Sequence, residues 1–324
     1  MSHAVLLRAH GGPENLLWEN VEVPPPGPGE LRIRHTAIAV NFHDTYVRTG
    51  LYKTLTLPGI PGLEAAAIIE DVGPGVTDFA PGERIVYIDT TYGAYAERRV
   101  VPAAKALKIP AGIDDATAVS LNIKGLTACV LLRIVHNVGP DTRVLVHAGA
   151  GGMGQLLVSW AKHLGAQVIA TAGSPAKADI ARARGADHVI LYRAEAFPEK
   201  VRALTAGQGV DVVYDSVGHD TFAGSLESLD FRGHLVNFGQ SSGPVAPFSV
   251  SQLSAKSLTV TRPMLFHYMR DRAALTALAE ETFNAVKSGI IQADIGAEFP
   301  LREAGLAHTL LESRASTGSI VLRP

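Results

Sequence analysis

The chain has 324 residues, 47% of them hydrophobic and 19% charged, which excludes a disordered or fibrous protein and predicts about two domains. Its 29 Lys and Arg against 31 Asp and Glu give a formal net charge of −2, so no global field recruits nucleic acid or an anionic membrane. A single cysteine, Cys129, excludes an intrachain disulfide and a thiolate zinc cluster.

The start, Met1-Ser2-His3-Ala4, carries no basic segment followed by an apolar core, so a cytoplasmic chain is expected. Over the first 120 or so residues, short β runs such as Leu31 to Val40, Ala65 to Ile69 and Arg84 to Ile88 alternate with turn signals. Gly73-Pro74-Gly75 and Pro81-Gly82 are two of those signals. This half reads as an irregular β-rich domain.

The pattern changes after Ile113. Asp114 caps a predicted helix, and a second helical run is expected from about Lys124 to Asn137, before Gly139-Pro140. From Val144 onward short apolar strands alternate with helices: Val144 to His147, Gly152 to Leu164, Gln167 to Thr171, Pro175 to Arg184, then on to His234 to Phe238. That alternation predicts a doubly wound parallel α/β sheet with right-handed crossovers. Val144 to Ala161 has no formally charged residue, but its four glycines with His147 and Gln155 argue against a membrane span. Further on, a strand over Ser257 to Thr261, a helix over Asp271 to Lys287, and two strands flanking a helix near Arg302 to Leu311 complete the reading. A terminal segment this short is expected to pack back onto the first domain.

The most informative stretch is Ala148-Gly149-Ala150-Gly151-Gly152-Met153-Gly154, a G-x-G-x-x-G turn between a buried strand and a helix. Gly149, Gly151 and Gly154 respectively suit a tight turn, close backbone approach to a pyrophosphate, and close packing of helix on strand. Leu156, Leu157, Trp160 and Leu164 predict the helix's buried face, with Gln155, Ser159, Lys162 and His163 opposite. The next strand runs into Gly173-Ser174-Pro175-Ala176-Lys177, without the acid that an NAD site uses on the ribose. Gly173 leaves room for a 2′-phosphate, Ser174 offers a donor, Lys177 a charge, and Tyr192 a surface along the ribose. NADPH is therefore favoured over NADH.

With that turn in place, other segments come into register: Asn41 to Tyr46, Arg48 to Tyr52, Pro61 to Ala66, Lys124 to Ala128, Tyr214 to Gly218, Phe238 to Gly243 and Leu311 to Arg314. Through them the chain resembles, over nearly its whole length, the zinc-free NADPH:quinone oxidoreductase branch of the medium-chain dehydrogenase/reductase superfamily, which includes ζ-crystallin. The resemblance implies a Rossmann domain inserted into a GroES-like catalytic domain, with boundaries 1–123, 124–264 and 265–324. It also implies a homodimer joined through Rossmann edge strands, with Leu258 to Thr261 as the candidate edge. Zinc-dependent relatives look like they use Gly-His-Glu where this chain has Gly62-Leu63-Glu64, and a cysteine near Asn41. Leucine cannot ligate a metal and an amide is a poor zinc ligand, so no metal site is expected.

The resemblance further implies metal-free hydride or electron transfer from NADPH to a quinone in an interdomain cleft. Asn41, Tyr46 and Tyr52 would line its nicotinamide end. The same resemblance assigns Thr127, Gly152 and Met153 to the diphosphate, and Ser216, Phe238, Gly239 and Ser241 to the cofactor beyond later strands. Arg314 would reach it from the carboxy-terminal segment, and Arg262 is a weaker candidate for the cleft. His43 stands among the tyrosines without a required role, and no dedicated general acid is evident. Two rivals remain: a zinc-free NADPH-dependent enone or enoyl-thioester reductase, and a non-catalytic NADPH-binding crystallin or RNA-binding protein.

Overall fold

The structure, a computed structural model, describes residues 2–313 and 315–324. Its chain contacts divide it into one unit running up to Ile123 and resuming over Ala293–Pro324, and a second unit, Lys124–Gln292. The first unit begins with an antiparallel pair, β1 (Ser2–Leu7) and β2 (Leu16–Val21). β3 (Glu30–Val40) follows and leads directly into α1 (Phe42–Thr49). Asn41 caps α1 in extended conformation, Asp44 adds an acid to its first turn, and Gly50 at φ 82° ends it. β4 (Glu64–Val72), β5 (Arg84–Ile88), β6 (Arg98–Pro102) and β7 (Ala106–Lys108) join β3 in one antiparallel system.

The boundary between the units falls inside a helix, α2 (Asp115–Cys129), which continues as a π-helical segment over Val130–Val135. Two helices were expected here. One forms because Ala116 to Lys124 contains no breaker, and Gly125 is buried where flanking contacts offset its low helix propensity. Asp115–Val135 is also the one stretch of the described residues long and apolar enough to cross a membrane, yet 72% of that window is buried inside the protein. Such burial belongs to a core helix.

The second unit alternates strand and helix from Arg143 to Asn237. β8 (Arg143–Val146), α3 (Gly152–His163), β9 (Gln167–Ala172), α4 (Pro175–Ala183) and β10 (His188–Leu191) make its first half. α5 (Phe197–Leu204), β11 (Val210–Asp215), α6 (Phe222–Ser228), β12 (Leu229–Asn237) and β13 (Thr259–Thr261) make the second. All pairings are parallel, in the order β10-β9-β8-β11-β12-β13. This is the doubly wound order with its reversal between β8 and β11. Leu145, Ile169, Ile190, Val213 and Leu235 sit at the centres of successive strands and share one core with Val201 of α5 and Phe222 of α6. A sheet covered on both faces needs apolar residues along its whole length, which is why these strands read as continuous apolar runs.

After the short α7 (Leu265–Tyr268), α8 (Arg272–Lys287) is capped by Asp271, whose carboxylate accepts the Ala274 N–H at 2.9 Å. The expected boundary after residue 264 gave this helix to the first unit, but it belongs to the second. Its Ala277 and Ala285 line a groove with Trp160 and Leu164 at the end of α3, and its Glu281 pairs with Arg133 at 3.0 Å. α8 itself buries Leu275, Leu278, Ala279 and Phe283.

The chain then returns to the first sheet as β14 (Ile295–Pro300), α9 (Ala304–Glu312) and β15 (Ser319–Arg323). β15 lies between β14, which it meets in parallel, and β3, to which it is antiparallel. The architecture is a Rossmann unit inserted into a GroES-like, β-rich unit. α9 is tied to the first half of that unit by polar contacts. Arg48, 1% exposed, donates Nη2–H to Glu312 at 2.6 Å. Tyr95 donates its phenolic hydrogen to Asp44 at 3.1 Å, so His308 Nε2–H must be the donor in the 3.0 Å contact with the same hydroxyl.

His308 is neutral in this arrangement: burial, aided by the Arg48 charge, pushes its pKa down to about 3. The unfolded chain, with an ordinary histidine near 6.5, binds the extra proton first, so stability falls as pH drops through the window from about 6.5 to 3. His308→Gln retains an N–H donor for Tyr95 but does not titrate. It is expected to shift the acid unfolding midpoint to lower pH in a circular dichroism titration; an unchanged midpoint would remove His308 from the cause.

Candidate active site

In the second unit the candidate binding residues gather at the carboxyl ends of the parallel strands, where open α/β sheets hold ligands. The turn after β8 opens with Ala148 at φ 54° and is pinned to the next strand by Gly149 N–H, which donates to Thr171 O at 2.9 Å. A Cβ on Gly149 would lie 2.8 Å from that of Ala170, and one on Gly154 only 2.1 Å from Ala148 O. Gly151 differs: a Cβ there meets nothing nearer than 3.3 Å. Two of the three glycines are therefore required by packing, while the third leaves space at the mouth of the turn. Gly151 caps α3, and Gly152 and Met153, both half-buried, form its first turn. Amide groups there face outward without helical partners, a ready seat for a phosphate.

Gln155, expected on the solvent face of α3, is instead 2% exposed. Its amide donates to Ala150 O at 3.0 Å and accepts from Arg184 at 2.7 Å, bracing the turn from behind.

At the end of β9, Gly173 lies under Tyr192: a Cβ would come within 2.9 Å of the tyrosine oxygen. Ser174 caps α4, its hydroxyl oxygen accepting the Lys177 N–H at 3.4 Å, which leaves the hydroxyl hydrogen to donate outward. Burial and the neighbouring Arg193 cation both lower the Lys177 pKa. Sequence reasoning missed Arg193, although it directly follows Tyr192 where β10 ends. Like charges that feel one another in this way are relieved by an anion placed near both.

The loops after β11 and β12 are knitted to each other. Asp215, fully buried, accepts the N–H groups of Val217 at 2.8 Å and Gly218 at 3.1 Å and the Thr221 hydroxyl at 2.8 Å. Sequence reasoning missed this acid too, though Asp-Ser-x-Gly is a turn-forming pattern. Ser216 O accepts the Ser241 N–H at 3.2 Å, Phe238 N–H donates to Asp215 O at 2.9 Å, and a Cβ on Gly239 would meet Ser216 O at 2.5 Å. Arg262, just beyond β13, spends its guanidinium on Asn237 and on Gly239 O at 2.7 Å, so here it braces the loop. Thr127 stands half-buried on α2, and Arg314 lies outside the described residues.

In the first unit, two of the three candidates around α1, Tyr46 and Tyr52, form part of an aromatic cluster. Tyr46 and Tyr52 meet edge to face with ring centroids 5.2 Å apart, and Tyr52 N–H donates to Tyr46 O at 3.0 Å. His43 packs on Tyr52 at 5.3 Å and its Nε2 contacts the Tyr92 hydroxyl at 3.1 Å, while Thr54 bonds the same hydroxyl. Tyr92, at φ 65° and 4% exposed, was not foreseen, since nothing in the sequence marks a strained tyrosine. Burial pushes the His43 pKa down to about 4, so it is neutral at physiological pH. Asn41 Nδ2–H donates to Glu64 Oε1 at 2.8 Å, and the neighbouring Leu63 is buried.

Comparison with known proteins agrees with this geometry. Residues 152–281 match the zinc-binding dehydrogenase family and residues 27–111 the alcohol dehydrogenase GroES-like domain. A 2-haloacrylate reductase from Burkholderia sp is 46% identical, across 100% of this chain and 99% of that protein. A quinone oxidoreductase of Pseudomonas aeruginosa is 43% identical over the full length of both. The crystal structure of Escherichia coli quinone oxidoreductase complexed with NADPH superposes with a TM-score of 0.97 at 42% identity, covering 99% of this chain and 100% of that one. The chain belongs to the quinone oxidoreductase branch of the medium-chain dehydrogenase/reductase superfamily.

The glycine turn yields a stability test. Gly154→Ala forces a methyl group against Ala148 O, and is expected to cost about 2 kcal/mol in urea unfolding; a loss under about 0.5 kcal/mol would show that the turn yields freely.

Proposed function

We propose that the protein reduces quinones with NADPH and without a metal. The observation that carries the cofactor choice is the strand end after β9, where Lys177 stands on the first turn of the Ser174-capped α4, in the field of the Arg193 charge, and no carboxylate stands where an NAD site uses one. A 2′-phosphate fits the two cations and the serine hydroxyl, with Tyr192 over Gly173 shaping the ribose side. The α3 N-terminus and the space at Gly151 suit the diphosphate, with Gly152, Met153 and Thr127 beside it. Ser216, Phe238, Gly239 and Ser241 would meet the remainder of the cofactor. NADPH, when bound, supplies the hydride. The likeness to quinone oxidoreductases supports a quinone acceptor.

The donor set beside Asn41 does not fit zinc. Leu63 offers no lone pair, Asn41 donates to Glu64, and among the described residues no three potential ligands converge. An acceptor already easy to reduce needs no Lewis acid, and the protein then contributes proximity and orientation. Asn41, Tyr46 and Tyr52 serve that role as amide and aromatic surface around the reacting rings. Neutral His43 orders Tyr52 and Tyr92.

The same reading extends to assembly and location. Edge strand β13, with Phe231 and Val250 each 74% exposed nearby, suits pairing with a second copy to give a homodimer. A cytoplasmic site of action accords with the supply of NADPH there.

Spectrophotometry tests the proposal. NADPH is expected to be oxidised with 1,4-benzoquinone at least about tenfold more efficiently than NADH, and EDTA to leave the rate unchanged. Lys177→Ala should raise the KM for NADPH about tenfold, the loss of one charge-assisted hydrogen bond, and leave NADH kinetics alone. Gly151→Ala should keep unfolding stability within about 1 kcal/mol of wild type while weakening NADPH binding. A preference for NADH, or inhibition by EDTA, would contradict the reading. The likeness to 2-haloacrylate reductase favours one rival, an activated alkene as acceptor; faster NADPH oxidation with 2-chloroacrylate than with any quinone would put it first.

A further inference from the structure

We propose that Glu64 is a positioning residue that fixes the direction of the Asn41 amide, an inference that rests on the role given above to Asn41. Glu64 opens β4 and is fully buried, where a carboxylate is costly unless both oxygens are satisfied. Both are: Oε1 accepts from Asn41 Nδ2 and Oε2 from the Ile123 backbone N–H, each at 2.8 Å. Ile123 lies within α2, so one side chain joins the start of β4, the cap of α1 and the middle of α2.

The chemistry of the two contacts explains why an acid stands here. Both neighbours are donors, and only a carboxylate presents an acceptor to each. Glutamine would turn an NH₂ group on one of them, and the relieving movement is a flip of the Asn41 amide. With Glu64 present, Nδ2 must face the carboxylate and Oδ1 the opposite way, towards the first turn of α1, where Asn41 and Asp44 form a reciprocal cap. One N–H and one lone pair of the amide are left for a bound molecule. Asn41 is 9% exposed, so the surface it offers is small and its direction matters. Asp44 reinforces the same end, accepting the Asn41 backbone N–H at 2.9 Å.

A double-mutant cycle tests this role, since a residue acting through Asn41 loses its effect once the amide is gone. Wild type, Glu64→Gln, Asn41→Ala and the double variant are compared for kcat and KM with 1,4-benzoquinone, NADPH dissociation constant by fluorescence titration, and thermal stability. Each single change is expected to lower kcat about tenfold. The double variant is expected to be no slower than Asn41→Ala, and NADPH affinity to stay within about twofold because the phosphates are held elsewhere. Multiplying effects, an unchanged kcat in Glu64→Gln, or a loss confined to NADPH affinity would each overturn the proposal. Should Glu64→Gln not fold, Glu64→Asp carries the same cycle, keeping the charge but withdrawing it by one methylene. A wild type inactive with every quinone would overturn the functional reading and this one with it; an active wild type with Glu64→Gln at full rate overturns the role of Glu64 alone.

Discussion

Pairing between Ile320 to Leu322 and Ile38 to Val40 is the contact on which the first unit depends. β15 supplies the only neighbour, among the described strands, for the last residues of β3 on that side, and the very next residue is Asn41. The entry angle of α1, and so the setting of Tyr46, is defined by a strand encoded some 280 residues later. Two further ties strengthen this dependence, the buried Arg48 to the exposed Glu312 and the buried pair Tyr95 and His308, both linking α1 or its surroundings to α9. Removing one partner of such a contact leaves a polar group stranded in the core.

The second unit meets a different constraint. A parallel sheet sends the carboxyl ends of all its strands to one side, and each loop there must be stiffened without side-chain bulk. The chain does this by packing loop on loop through Gly149, Gly154 and Gly239, and by turning buried side chains inward, Gln155 behind the first turn and Asp215 behind a later one. Several backbone amides of these loops are taken up in this way, those of Gly149, Val217, Gly218 and Ser241 among them. At the end of β9 Lys177 adds positive charge, felt by and feeling that of Arg193.

Much of this was legible in the residues. The glycine turn, the strand and helix alternation, and the lack of an acid after β9 each report a local rule of backbone or charge, and local rules are written in consecutive residues. The merging of two expected helices into α2 and the assignment of α8 to the Rossmann unit were not legible, because both depend on which apolar faces meet in three dimensions. The same applies at the site. Lys177 could be read from its place on the first turn of a helix, whereas Arg193, Tyr92 and Glu64 gain their meaning from neighbours distant in sequence. Gln155 shows the reverse error: a polar residue assigned to solvent by periodicity was drawn inside by two hydrogen bonds that periodicity does not register.

Cys129 gains a further meaning from its surroundings. Quinones are electrophiles that alkylate thiolates, and a protein that turns them over is exposed to that damage at every cycle. The sole thiol of this chain is fully buried at the end of α2, and burial, with Glu281 beside it, pushes its pKa up to about 12. It is held protonated and out of reach, where it packs as a small apolar side chain. The chain thus offers its own proposed substrate no accessible thiolate, a form of self-protection that follows from one residue's position in the core.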